Sequence, residues 1–272
     1  MASAANAHIQ YLLHLADNAL VLGQRNAEWC GCGPVLEEDI AMANISVDLI
    51  GQARMLYQHA ANLKGDGATE DTLAYFRDAP DFRNFTLLEL PHSEPGNGSG
   101  VRDYAVTIVR NFLYSALMVL RWEALRQSTD AQLAAIAERS VKETRYHLRH
   151  SRDWLVRMGD GTAESHAKTQ AAWHHLMPYT AEFWTECAVE QEACVGGIAV
   201  AGASLRDDWQ GVVNDAAREA TLTSPVAIRS PDGTMARPIA WPQGKHGDHS
   251  PCLAPLLAEM QSLARQHPGA TW

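Results

Sequence analysis

The sequence predicts an all-α protein built as a helical bundle, on three observations. Four segments repeat their apolar residues at intervals of three and four, each over about 20 to 28 residues, which as helices would measure about 30 to 42 Å. Lengths matched in this way suit side-by-side packing. Between them stand glycine, proline and helix-capping residues that end one helix and start the next. The fourth segment, Leu133 to Met158, turns inward a stripe of Leu133, Ala137, Ser140, Thr144, His147, Ser151, Trp154 and Met158, whose middle is polar.

The elements follow in order. From about His8 to Ala27, Ile9, Leu12, Leu13, Ala16, Ala19 and Leu20 fall on one helical face, and Gly31, Gly33 and Pro34 then turn the chain. The second helix, about Leu36 to Leu63, carries two apolar stripes on nearly opposite sides. One is Leu36, Ile40, Ala43, Val47 and Ile50; the other is Met42, Ile45, Leu49 and Leu56. A helix apolar on two sides is buried on two sides, in mid-bundle or where two chains meet. Asn44, Asp48 and Gln52 interrupt it and require partners. Past Lys64-Gly65-Asp66-Gly67, a short connector over Thr69 to Arg83 leads to Phe82, Phe85, Leu87, Leu88 and Leu90, which are expected to cover the core before a Pro-, Gly- and Ser-rich loop at Pro91 to Gly100. A third long helix is expected from about Val101 to Arg126, facing inward with Val101, Tyr104, Ile108, Phe112, Ser115, Val119 and Trp122. Asp130 is placed to cap the fourth.

Beyond Gly161 the pattern weakens. A helix over about Thr162 to Cys187 should break near Pro178, a sixth covers about Ser204 to Thr221, and the last runs from about Pro251 to Gln266. Ser224 to Ser250 reads as a long irregular arm, with a possible hairpin at Pro231-Asp232-Gly233-Thr234. The whole is read as one domain over 1–272, its core helices within about 8–158 and the C-terminal helices and arm within about 162–272. The terminal Trp272 should dock on this chain or on a partner.

Candidate chemistry is sparse. Thr144 and His147 stand one turn apart on one face, the geometry of a Glu-x-x-His pair with the carboxylate replaced by a hydroxyl; a lone core histidine bonded to a neighbour is the plainer account. Glu182, Glu186 and Glu190 at four-residue intervals read as a solvated acidic face. His174 and His175 point to different faces and receive no role. Lys245-His246-Gly247-Asp248-His249 invites a metal site but reads as surface hydrogen-bonding groups, and Arg145, Arg149 and Arg152 as a solvated face rather than a phosphate clamp.

Composition sets the limits. With 272 residues, 46% hydrophobic and 20% charged, the chain can bury a substantial core. A net charge of -10 argues against nucleic acid. No apolar run reaches a membrane span, and the first residues lack a basic stretch followed by an apolar one, so a cytoplasmic protein is expected, without a membrane partner. Five cysteines without zinc spacing read as reduced thiols.

Five stretches together resemble a known family. They are Asn18-Ala19-Leu20-Val21-Leu22 running on to Glu28-Trp29-Cys30-Gly31; Ala43-Asn44-Ile45 with Asp48-Leu49-Ile50-Gly51-Gln52-Ala53-Arg54; Asp71-Thr72-Leu73-Ala74; Lys142-Glu143-Thr144-Arg145-Tyr146-His147; and Leu256-Leu257-Ala258-Glu259-Met260-Gln261 through Pro268-Gly269-Ala270-Thr271-Trp272. The chain resembles the PaaC-type subunits of bacterial phenylacetyl-CoA epoxidase, the ring monooxygenase complex. The resemblance implies a ferritin-like bundle and kinship with the PaaA-type catalytic subunit, which holds two irons with carboxylates and two Glu-x-x-His pairs.

Carried over to this sequence, those ligand positions fall on Ala19, on Leu49 and Gln52, on Ser115, and on Thr144 and His147. His147 alone keeps its ligand type, and Ser115 departs even from several PaaC-type relatives that hold an Asp there. The resemblance therefore implies a noncatalytic subunit with no cofactor of its own, the iron residing in a PaaA-type partner, and a separate reductase subunit supplying electrons to the complex. The rival expectations are an autonomous metalloenzyme using His147 with Glu143, or His246 with His249, and a module that binds acyl-CoA alone.

Overall fold

Four long helices form the frame, and capping residues mark several of their ends. The computed structural model describes residues 4–93, 101–185, 187–223 and 243–270. The expected hairpin at 231–234, most of the arm, Glu186 and Trp272 lie outside the described residues. Helix α1 spans Ala4–Ala27 and α2 spans Leu36–Lys64. Glu37, Glu38 and Asp39 occupy the first turn of α2 and Lys64 its last, complementing the helix dipole. Gly65 ends it at φ 67 with its N–H on the Ala61 carbonyl, a left-handed cap that favours glycine. After two short helices, α3 (Glu70–Tyr75) and α4 (Thr86–Glu89), come α5 (Tyr104–Leu125) and α6 (Ala131–Gly159). Asp103 caps α5 through the Ala105 N–H, and Asp130 caps α6 through the N–H groups of Gln132 and Leu133.

Hydrogen bonds between helix ends fix the topology. His8 near the start of α1, His59 near the end of α2 and Asp130 at the start of α6 meet at one end of the bundle. At the other end, Trp29 donates to Thr107, Asn26 pairs with Asn111, and Glu38 accepts from Tyr104 and pairs with His150. The helices therefore run up, down, down, up. A long crossover, residues 65–103, returns the chain between α2 and α5, which is the connection of ferritin-like bundles. Within that crossover Phe82, Phe85, Leu87, Leu88 and Leu90 are buried, covering the core as expected.

The C-terminal half lies against this frame. Helix α7 (Ala163–Leu176) packs on α5 and α6, α8 (Ala188–Val195) on α1, and α9 (Arg206–Glu219) on α5 and α6. α5 is consequently buried around most of its circumference. Val101, expected to face inward, precedes the start of α5 and is exposed, while Trp154 and Met158 at the end of the α6 stripe are half-buried. The last helix is two, α10 (Leu253–Met260) and α11 (Ser262–Gln266). No described residue forms a β-strand, and no described helix is long and apolar enough to cross a membrane.

The break near Pro178 is larger than a kink. The chain leaves α7 at Leu176, winds through a 3-10 turn over Met177–Trp184, and starts α8 at Ala188. Glu182 and Glu190 thus belong to different elements and share no helical face. Both are buried, and the solvated acidic face inferred for them is corrected.

Candidate functional site

The six positions that the resemblance matches to iron ligands lie on the four frame helices, and all six are buried. Ala19 on α1 and Leu49 on α2 have joined the apolar core. Ser115 is enclosed within α5. On α6, the Thr144 hydroxyl donates to the Ser140 carbonyl one turn back, at 2.8 Å, and the Ser151 hydroxyl to the His147 carbonyl at 2.7 Å. These hydroxyls satisfy their own helix, as mid-helix Ser and Thr commonly do.

The two remaining polar groups have turned to partners at the rim. The Gln52 amide donates to the Glu143 carboxylate at 3.0 Å, and the His147 Nε2 lies 3.0 Å from the Asp48 carboxylate. Gln52 and His147 do not bond each other. Glu143 and His147 are thus the partners that Gln52 and Asp48, two polar interruptions of α2, required, and the carboxylates of Asp48 and Glu143 both reach solvent. The six positions hold one imidazole and no carboxylate. A di-iron centre carries at least four positive charges and needs anionic oxygen donors to offset them; this donor set does not fit one.

A second buried polar cluster escaped the sequence analysis. The Glu182 carboxylate accepts from the backbone N–H groups of Thr86 and Lys245, at 2.7 and 2.9 Å. Burial pushes this carboxyl up to about 7 against the pull of those two N–H groups. The Lys245 ammonium is buried, pairs with Glu190 and donates to the Thr185 carbonyl at 2.9 Å. His14 sits 3.9 Å from Glu190, and burial pushes its imidazole down to about 3. His14, Glu190 and Lys245, with Gln10, Arg83, Cys187 and Val189, line a small cavity of about 20 Å³, room for roughly one water. Lys245 and His249 are therefore not surface groups: the His249 ring bonds the buried Glu89 at 2.8 Å and the Phe82 carbonyl at 3.0 Å, while His246 is exposed. The 243–249 segment is a plug tied to the crossover.

The outside of α2 is the third feature. Its second stripe, Met42, Ile45, Leu49 and Leu56, is buried in the bundle. Its first stripe stands in solvent: Leu36 is 72% exposed, Ile40 52%, Val47 68% and Ile50 37%. These positions, with half-buried Ala43 between them, follow the alternating four-three spacing of a helix-packing seam. By contrast, Arg145 and Arg152 are paired with Glu123 and Glu219, and Arg149 lies over the Tyr146 ring.

Four long helices joined by a long crossover define the fold class: an all-α, ferritin-like bundle. Over residues 1–272 the chain matches the family of phenylacetic acid catabolic proteins, and it belongs to that family. It is 44% identical over 262 residues to the C subunit of 1,2-phenylacetyl-CoA epoxidase of Escherichia coli (strain K12), covering 96% of this chain and 98% of that protein.

Proposed function

We propose that this chain is a noncatalytic subunit of a phenylacetyl-CoA epoxidase complex, a scaffold that pairs with and stabilises a PaaA-type catalytic subunit in the cytoplasm during aerobic phenylacetate degradation. The complex inserts one oxygen atom of O2 into the aromatic ring of phenylacetyl-CoA, with iron held by the catalytic subunit and electrons supplied by a reductase subunit. One observation carries the reading: the positions that the resemblance matches to iron ligands hold Ala19, Leu49, Gln52, Ser115, Thr144 and a single histidine, His147, bonded to Asp48. Oxygen activation needs one-electron chemistry that amino acid side chains of this kind lack.

The exposed stripe of α2 is the surface assigned to the partner. Apolar surface continuous along a helix normally marks a partner contact, and burying it would remove from water the part of the chain least suited to remain there. The rival donors are committed elsewhere: Glu143 to Gln52 and Arg139, His249 to Glu89. Co-expression with an untagged PaaA-type subunit tests the proposal. The two chains are expected to co-purify in fixed stoichiometry, with ring epoxidation of phenylacetyl-CoA in the complex plus reductase and none with this chain plus reductase. Clean failure to associate, or turnover by this chain alone, would end it.

A further inference from the structure

Away from the central positions, one end of the bundle gathers a different donor set. The Nε2 atoms of His8 on α1 and His59 on α2 each lie 2.6 Å from the same oxygen, Oδ2 of Asp130 at the start of α6. Their rings stand edge to face, centroids 5.9 Å apart. One ligand atom from each residue lies within 4.8 Å of the others, and among the described residues no other group of three His, Cys, Asp or Glu side chains converges in this way. We infer that His8, His59 and Asp130 form a binding site for one divalent transition-metal ion, zinc by preference, which ties three of the four frame helices together.

The carboxylate is held in advance. Its other oxygen, Oδ1, accepts from the N–H groups of Gln132 and Leu133 at 2.9 and 3.1 Å, so the helix cap fixes the ring-facing oxygen in place. Burial would raise this carboxyl, but hydrogen bonds from His59, Leu133 and His8 hold it below the usual range, so it is anionic at neutral pH. The side chains are 17%, 11% and 8% exposed for His8, His59 and Asp130, shielded yet open to an entering ion. Donors on a tetrahedral zinc stand about 3.3 Å apart at bond lengths of about 2.0 to 2.1 Å, so the two 2.6 Å contacts must open by about 0.7 Å, within reach of small side-chain rotations. Each imidazole would bind as the neutral ring with its proton on Nδ1.

The donor types choose the ion. Two imidazoles and one carboxylate suit borderline ions such as zinc or ferrous iron, whereas magnesium and calcium take all-oxygen shells. Among borderline ions zinc binds more tightly than ferrous iron, and three protein ligands leave it one position for water. The site is independent of the proposed role in the epoxidase: it neither requires a partner subunit nor involves the central positions.

The full chain, stripped with chelator, would be dialysed against zinc, and bound metal counted by elemental analysis alongside thermal melting. One zinc per chain is expected, with the melting temperature raised by about 5–10 °C at a hundredfold excess over the dissociation constant. Asp130→Asn keeps a capping oxygen and so keeps the fold, while His59→Gln keeps a donor to Asp130. Both are expected to lose the zinc and the shift. His174→Gln, at an exposed histidine outside the cluster, should retain both. Cobalt in place of zinc should give tetrahedral d–d absorption. Absence of stoichiometric zinc in the unmodified chain, or zinc that persists undiminished in Asp130→Asn and His59→Gln, would overturn the inference.

Discussion

Val47→Glu is the substitution that most directly separates the outer face of α2 from the rest of the molecule. Val47 is 68% exposed and its side chain belongs to the solvent-facing stripe, whereas Ile50 leans on α1, its Cγ1 only 3.1 Å from where a Cβ on Gly23 would lie. Val47 can therefore be altered without disturbing the α1–α2 packing. If the stripe is buried by the catalytic subunit, the change forfeits the burial of roughly two thirds of a valine, about 1–2 kcal/mol. It also places a carboxylate in an apolar contact, and an uncompensated charge there adds at least as much again. Together these weaken association by about 3 kcal/mol or more, on the order of a hundredfold in Kd. In the isolated chain the same residue stands in water on a helix, where the change should alter stability by no more than about 0.5 kcal/mol. Titration calorimetry of the two separately purified chains reads the first quantity and urea unfolding of this chain the second. Val47→Leu should bind like the unmodified chain. Val47→Glu and Leu36→Glu chains that bind the catalytic subunit within about threefold of the unmodified chain would refute the assignment of this face.

Three further outcomes are expected. Asp17, fully buried, accepts from the Tyr57 hydroxyl at 2.5 Å, the Arg83 N–H at 2.8 Å and the Arg77 guanidinium, so Asp17→Leu should cost about 3–5 kcal/mol in urea unfolding by stranding Arg77. Adding Arg77→Met should recover part of that loss. His14 is pushed down to about 3 by burial, so its folded value lies below its unfolded one: its contribution is complete above about pH 6.5 and is lost as pH falls toward 3. His14→Gln should therefore remove about 2 kcal/mol of the stability difference between pH 7 and pH 5. Glu182, raised to about 7, acts in the opposite sense, losing stability as pH rises through that value, so variant and unmodified chain must be compared at both pH values. Gly244→Ala would set a Cβ 2.0 Å from the Asn84 carbonyl oxygen, so it should displace the 243–249 plug at a cost of about 1–3 kcal/mol, read as faster amide exchange at Lys245.

The frame was legible because its signals are local. Periodicity located all four long helices to within a few residues, Asp130 announced the start of α6 by its capping chemistry, and the excess apolar stripe of α2 was visible as a second face. Glu182 and Glu190 were misread because four-residue spacing implies a shared face only while one helix continues, and the 3-10 turn after Pro178 breaks that continuity. Their partners, Lys245 and Thr86, arrive from distant parts of the chain. His8, His59 and Asp130 likewise share no spacing; only the antiparallel packing of the helices brings them to one end. The family resemblance supplied the comparison with ligand positions, which neither spacing nor composition could provide.

The placement of polar groups bears on how such a chain could serve as a scaffold. Carboxylates clustered inside a bundle repel one another unless a metal offsets them, so a fold that keeps them depends on its metal for rigidity. Here the central section is apolar at Ala19 and Leu49, and the strong polar ties lie toward the ends and the crossover: Asp17 with Tyr57 and Arg77, Asn26 with Asn111, Glu89 with His249, and the His8, His59 and Asp130 group. Each joins segments distant in sequence, and none lies on the exposed stripe of α2. The frame is thus fixed by contacts that do not need an ion at its centre, and among the described residues it leaves the apolar stripe of α2 in solvent. The proposed role beside a catalytic neighbour calls for that combination: rigidity independent of the neighbour's iron, and a face that resists remaining in water alone.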